Sequence, residues 1–196
     1  MSADAERIAA AAATLRRGEL VVYPTETVYG LGADATNPEA VERVFEAKGR
    51  DRDKPVSLAV PDVAAAREYV HAPPRTRRFM REFLPGPVTV VCEKRDAIPD
   101  ALTGGRERVG VRIPDHEVAL ALLDSFAPVT ATSANRSGGA NARRADEVPD
   151  EIREQATVLD GGETPGGEST VVDVERGEIH RKGLLADDIE AWLREQ

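Results

Sequence analysis

Residues 21–37 read VVYPTETVYGLGADATN. An apolar run is broken by Pro24; Thr25, Glu26, Thr27 and Tyr29 follow, then glycines, then Asn37-Pro38 as a helix start. Hydroxyls just past a strand end sit where α/β sheets commonly bind ligands, so Thr25 and Thr27 are candidate contacts for a small polar molecule. GLGADA (30–35) also matches the dinucleotide fingerprint G-x-G-x-x-A. Its context fails: six residues separate Tyr23 from Gly30, and the helix opens only at Pro38. No helix N-terminus would meet a pyrophosphate held by those glycines. By themselves the glycines read as a turn that needs positive φ.

A second stretch is KGRDRDKP (48–55), with Lys48, Arg50, Arg52 and Lys54 interleaved with Asp51 and Asp53. A guanidinium fork and an ammonium suit a polyphosphate. Cations at the end of a helix also complement its dipole, so a structural reading stands beside the binding one. The third stretch is TSANRSGGAN (132–141), where Ser133, Asn135, Ser137 and Asn141 follow an apolar run. Small hydroxyls, amides and backbone N–H groups after a strand can cradle a phosphate, and the same composition makes an ordinary surface loop. Arg112 lies inside VGVRIP, where a charge needs a partner or a ligand. Ser169 follows a glycine-rich loop, and Arg181 ends the last apolar segment. His71, His116 and His180 are scattered without metal-ligand spacing, so no metal site is expected. No G-x-x-x-x-G-K-[ST] exists. Cys92, the single cysteine, reads as a buried core thiol and excludes an intramolecular disulfide.

The elements that must position these groups alternate. Helices are expected over 3–17, 38–48, 62–70, 74–83, 115–123, 152–155 and 187–195. Strands are expected over 20–23, 56–60, 88–92, 109–113, 129–132 and 158–160, with a hairpin at 170–174 and 178–180. Segments 98–106 and 133–146 read as loops, and Asp62, Asp115 and Asp187 as helix caps. Interspersed strands and helices imply an α/β fold, a twisted mixed sheet with flanking helices, in one domain spanning 1–196 with its core at about 8–185. Of the 196 residues, 41% are hydrophobic and only 4% aromatic, so Ala, Val, Leu and Ile fill the core. No run approaches 18 apolar residues and no leader is evident, so no membrane is expected and a cytoplasmic location is. The net charge of −9 argues against a dedicated nucleic-acid binder.

Together the stretches resemble the YrdC-like family, the threonylcarbamoyl-AMP synthases. The resemblance runs from about Leu20 to Gly183. It rests on PTETVYGLG (24–32), KGR with a later KP (48–50, 54–55), LPGPVTVV (84–91), VGVRIP (109–114), TSAN-SG (132–138), STVVD (169–173) and RKG (181–183). The resemblance implies a large, concave, basic cavity and a nucleotidyl transfer. L-threonine and bicarbonate form N-carboxythreonine, which attacks the α-phosphate of ATP to give threonylcarbamoyl-AMP and pyrophosphate. A separate transferase then modifies tRNA. By the same resemblance Lys48 and Arg50 are catalytic. Lys48, Arg50, Lys54, Ser133, Asn135, Asn141 and Arg181 bind ATP, and Thr25, Thr27, Arg112 and Ser169 bind threonine. Mg²⁺ accompanies ATP, held mainly by its phosphates. tRNA or double-stranded RNA is a further candidate partner. Two departures stand out: Ala59 replaces a histidine common in relatives, and Arg108 replaces a threonine. The chain also looks like the short, single-domain form. The alternative is a paralogue that binds RNA or nucleotide without forming the adenylate.

Overall fold

Alternation along two central strands decides which face of the sheet becomes core and which stays open. In the computed structural model, which describes residues 3–195, strand β5 (Val88–Lys94) pairs antiparallel with β6 (Arg108–Arg112). Val88, Val90 and Cys92 of β5 and Val109 and Val111 of β6 are buried in one apolar cluster with Phe79, Met80 and Trp192. Their alternating neighbours Thr89, Val91, Arg108, Gly110 and Arg112 line a cavity on the opposite face. Side chains two apart on a strand share a face, so each strand serves both purposes.

The remaining elements extend this pattern. Helix α1 (Ala3–Arg16) leads to β1 (Leu20–Tyr23) and β2 (Gly30–Gly32). Helix α2 (Pro38–Lys48), β3 (Ser57–Ala59), α3 (Val63–Ala66), β4 (Val70–His71) and α4 (Pro74–Phe83) follow. After β5 come α5 (Asp100–Thr103), β6, α6 (Glu117–Ser125), β7 (Val129–Ser133) and α7 (Asp150–Arg153). Strands β8 (Ala156–Val158), β9 (Thr170–Asp173) and β10 (Glu178–Arg181) and helix α8 (Ala186–Arg194) complete the chain. The strands form one sheet in the order β10-β9-β5-β6-β3-β7-β2-β1-β8, with β4 on β5. Pairs β1–β8, β3–β6 and β5–β9 are parallel and the others antiparallel, so the sheet is mixed as expected. Among the described residues no helix is long and apolar enough to cross a membrane.

Several local expectations are corrected. GLG is not a positive-φ turn but strand β2, paired with β1 and β7. Its glycines are required by close approach: a Cβ on Gly32 would lie 2.5 Å from Val129 Cγ1 and 2.9 Å from Tyr23 Cε1. The helix after Asp62 stops at Ala66, and residues 70–71 leave it to pair with β5. The expected loop 98–106 contains the single helical turn α5, ended by Gly104 at φ 60°. His116, not Asp115, caps α6, because its Nδ1 accepts from Val118 N while Asp115 N is drawn to Glu26 Oε2. Leu185, not Asp187, precedes α8.

Gly110 ties the fold to the cavity floor. A Cβ there would lie 2.3 Å from Ser57 Oγ and 2.7 Å from Thr89 Cγ2. Gly110→Ala is expected to destabilise the protein by about 1–3 kcal/mol, the cost of overpacking a filled site, as read by urea unfolding. Wild-type stability in that variant would show that the three strands separate freely there.

Candidate active site

The open face of the sheet bounds a cavity of about 980 Å³. Its wall carries Arg50, Arg106, Arg108, Arg112, Arg176 and Arg181 against Glu107, Glu168 and Asp173, so it is basic inside an acidic chain. Ordinary ligand pockets measure roughly 300–1,000 Å³, which makes room for a nucleotide and a small second molecule together.

Helix α2 delivers the first cations. Asn37 Oδ1 accepts from Glu39 N at 3.0 Å and Ala40 N at 3.4 Å to start it, and Gly49 in the left-handed conformation (φ 57°) ends it. The reversal sends Lys48 and Arg50 to different places. Lys48 is only 2% exposed and does not line the cavity. Its Nζ donates to Ser133 O, to Asn135 O at 2.7 Å and to Asn135 Oδ1 at 3.1 Å. Ser137 N returns a bond to Lys48 O at 2.8 Å. All three ammonium donors are thus spent on the segment after β7. Burial, reinforced by the charge of Arg50, pulls the Lys48 pKa down to about 8.

Arg50 does face the cavity. Its Nε donates to Lys54 O and its Nη2 to Pro55 O, both at 3.0 Å, which fixes the guanidinium without neutralising it. Burial first, and the charge of Arg181 second, lower its pKa. Arg181, at the end of β10, also lines the cavity and donates to Ser169 O at 2.9 Å and Ser169 Oγ at 2.9 Å. Ser169 Oγ lies 3.0 Å from Thr89 Oγ1. Two guanidiniums therefore share the cavity, held by backbone carbonyls and a hydroxyl rather than by carboxylates.

The loop between β1 and β2 supplies the hydroxyls. Thr25 Oγ1 lies 3.0 Å from Thr27 Oγ1 and donates to Val28 O at 2.7 Å, and both threonines line the cavity. Tyr29 lines it too, its hydroxyl bonded to Asp160 Oδ1 at 3.1 Å and Gly162 O at 2.7 Å. Arg112 faces the same end and is ion-paired with Glu26. Ser133 and Asn141 are on the wall.

The structure thus gathers Thr25, Thr27, Arg50, Arg112, Ser133, Asn141, Ser169 and Arg181 around one space. Three expected contacts lie elsewhere. Lys48 is sealed beneath the 133–139 segment. Asn135 is 6% exposed, bonded to Lys48 and through Nδ2 to Gly139 O at 2.6 Å. Lys54 is solvent-exposed and held by Asp51 at 2.7 Å. A lysine three residues from an aspartate on a tight turn closes on that partner first. Sequence reasoning missed the far end of the cavity, with Arg106, Arg176 and His180. It also missed the pairing of Arg108 with Asp173 at 2.9 Å and Glu175 at 3.1 Å. The alternation Arg108-Gly110-Arg112 on β6 is the signal that places Arg108 beside Arg112. No cluster of three metal-ligating side chains occurs among the described residues.

The family model for Sua5, YciO and YrdC proteins, described as "Telomere recombination", matches residues 13–183. The chain belongs to this family. A threonylcarbamoyl-AMP synthase of Bacillus subtilis is 40% identical over 199 residues, covering 99% of this chain and 54% of the relative. The fold matches Pyrococcus abyssi Sua5 complexed with L-threonine at a TM-score of 0.90 and 39% identity, over 96% of this chain and 57% of that one. It also matches Escherichia coli YciO at a TM-score of 0.83 and 25% identity, over 92% of this chain and 90% of that one. The chain thus spans a little over half the length of the B. subtilis synthase and of P. abyssi Sua5. Within this chain Lys48, Ser133 and Asn135 interlock directly.

The buried ammonium gives a test with a defined sign. Unfolded, Lys48 keeps its proton to its ordinary value of 10.5; folded, it releases it near 8. Between those values the unfolded chain binds more protons, so this residue's contribution to stability rises with pH. Urea melts from pH 7.5 to 10 should show wild type gaining on Lys48→Met across that window. A constant difference would mean that the lysine titrates normally.

Proposed function

We propose that the cavity makes threonylcarbamoyl-AMP and pyrophosphate from L-threonine, bicarbonate and ATP. The observation that carries this reading is the pair of uncompensated guanidiniums, Arg50 and Arg181, facing one cavity whose other end offers Thr25, Thr27 and an arginine. Such cations match a polyphosphate, and they match it best when charge moves onto a leaving pyrophosphate. The synthase relatives and the threonine-bound structure support the same assignment.

In this reading N-carboxythreonine lies against Thr25, Thr27 and Ser169, with its α-carboxylate at Arg112. Its carbamate oxygen attacks the α-phosphorus of ATP, the bond to the bridging oxygen breaks, and pyrophosphate leaves toward Arg50 and Arg181. Ser133 and Asn141 hold the nucleotide from the β7 side. Lys48 and Asn135 serve by keeping that segment in place. No side chain is made covalent, and catalysis consists of positioning and fixed charge. Among the described residues the wall offers no carboxylate cage, so Mg²⁺ would arrive on the phosphates of ATP and offset their charge. The adenylate would pass to a separate tRNA threonylcarbamoyl transferase in the cytoplasm. Binding of tRNA or duplex RNA without adenylate formation is the competing reading, suited to the same basic wall.

Pyrophosphate release from ATP and Mg²⁺ should require both L-threonine and bicarbonate, with threonylcarbamoyl-AMP identified by mass spectrometry. Arg50→Ala should cost on the order of a hundredfold in turnover, as for loss of a preorganised donor. Lys54→Ala, which removes a side chain paired with Asp51 outside the cavity and keeps the carbonyl that holds Arg50, should cost less than about threefold, in line with an exposed ion pair. Release indifferent to threonine, or equal losses in both variants, would overturn the reading.

A further inference from the structure

The middle of the cavity floor lacks side chains where its neighbours have them. Strand β6 puts Arg108, Gly110 and Arg112 on the cavity face, so a gap stands between two arginines. A Cβ on Gly110 would strike Ser57 Oγ on β3 and come within 2.7 Å of Thr89 Cγ2 on β5. The positions around Ser57 are small as well. Ala131 is its partner on β7, and Ala59, the next residue on the same face of β3, pairs with Arg112. The result is a shallow hollow with a hydroxyl on one side and a methyl on the other.

Two observations point to a ligand there. Among the described residues Ser57 Oγ has no hydrogen-bond partner, although it faces the cavity. The neighbouring Thr89 hydroxyl, by contrast, is turned to Ser169 Oγ at 3.0 Å. Arg112 gives Nη2 to Glu26, and its Nε is buried without a hydrogen bond. A buried donor left unpaired is costly, and a ligand oxygen at Arg112 would remove that cost. Arg112 stands about 6.8 Å along the strand from Gly110, within reach of its side chain. On the other side Arg108 is already neutralised by Asp173 and Glu175. The hollow therefore matches one small anion of single charge, whereas a phosphate is better served by Arg50 and Arg181.

We infer that the hollow over Gly110 holds the bicarbonate of the proposed reaction, with Ser57 Oγ and Arg112 as its donors; this rests on the adenylation reading. The amine of threonine, as the free base, attacks the bicarbonate carbon. The N–C bond forms, the C–OH bond breaks, and the hydroxide leaves as water with one amine proton. The carbamate so formed stays over Gly110. Only the nitrogen and Cα separate it from the α-carboxylate, so the several N–H groups of one guanidinium serve both. Ser57 becomes a further substrate-binding residue, one whose role is confined to the carboxylating substrate.

Steady-state pyrophosphate release, with each substrate varied in turn, tests it. Ser57→Ala should raise the KM for bicarbonate about tenfold, as for a lost hydrogen bond to a charged group, and leave the KM values for ATP and threonine within about twofold. Nitrate, a planar anion of similar size with no carbon to attack, should compete with bicarbonate in wild type and more weakly in the variant. The ¹³C line of labelled bicarbonate should broaden with wild-type protein free of ATP and threonine, and less with Ser57→Ala. The thermal melt of the variant should match wild type. An unchanged bicarbonate KM, equal rises for all three substrates, equal ¹³C broadening by both proteins, or nitrate competing with ATP instead would overturn the assignment. Absence of pyrophosphate release in wild type would overturn the adenylation reading, while the ¹³C line would still report on the hollow.

Discussion

One ammonium group holds a wall of the cavity together. Lys48 Nζ sits where the end of α2 meets the end of β7 and gives its three N–H bonds to Ser133 and Asn135. Burying a charge is costly, and here the carbonyls of an otherwise irregular segment offset part of that cost, the remainder showing in the lowered pKa. The dependence is mutual. Residues 133–139 also bond among themselves, and without the lysine Asn135 O would lack a donor, while Ser133 O keeps Asn135 N and Asn135 Oδ1 keeps Ser133 Oγ. Gly49 makes the arrangement possible: a Cβ there would lie 2.9 Å from Arg136 Nη2, and its left-handed backbone separates the buried Lys48 from the cavity-facing Arg50.

A second constraint is geometric. The strands that build the cavity floor must also build the core, and the period of two lets them do so. Valines and a cysteine face α4 and α8, while threonine, glycine and arginine face the cavity. Burial holds the Cys92 thiol up at about 12, so it remains a neutral packing group. Depth in the cavity comes from what is missing: Gly110 has no side chain between Ser57 and Thr89, and Ala59 presents only a methyl beside Arg112.

The sequence made much of this legible, for identifiable reasons. Strands β1, β5, β6 and β7 are runs of β-branched and apolar residues bounded by turn formers, and Asn37-Pro38 is a local helix signal. Residues from all three short stretches meet at one cavity, though Lys48, Lys54 and Asn135 do not line it. What escaped was set by distant contacts. β2 reads as a glycine turn because the ring of Tyr23 and the methyls of Val129, which exclude any Cβ there, are remote in sequence or on a paired strand. Lys48 and Lys54 look equivalent in KGRDRDKP, yet one is covered by residues 133–137 and the other is caught by Asp51. Arg108 reads from sequence only as a departure, because its buried partner Asp173 lies 65 residues away.

The two ends of the cavity differ in their electrostatic state. At the Arg112 end the guanidinium already has a carboxylate, Glu26, and a ligand carboxylate there must share the arginine with it. Glu26 can give ground, because its second oxygen is held by Asp115 N at 3.1 Å. At the Arg50 and Arg181 end the cations have only carbonyl and hydroxyl partners, and each lies in the field of the other. Partial burial weakens screening, so the repulsion between them persists until an anion arrives. A polyphosphate therefore gains more at this end than a single carboxylate could, while the paired end favours a small zwitterion that can satisfy both Arg112 and Glu26. In the proposed reaction this asymmetry would orient a nucleotide and an amino acid toward each other, with the α-phosphate between them.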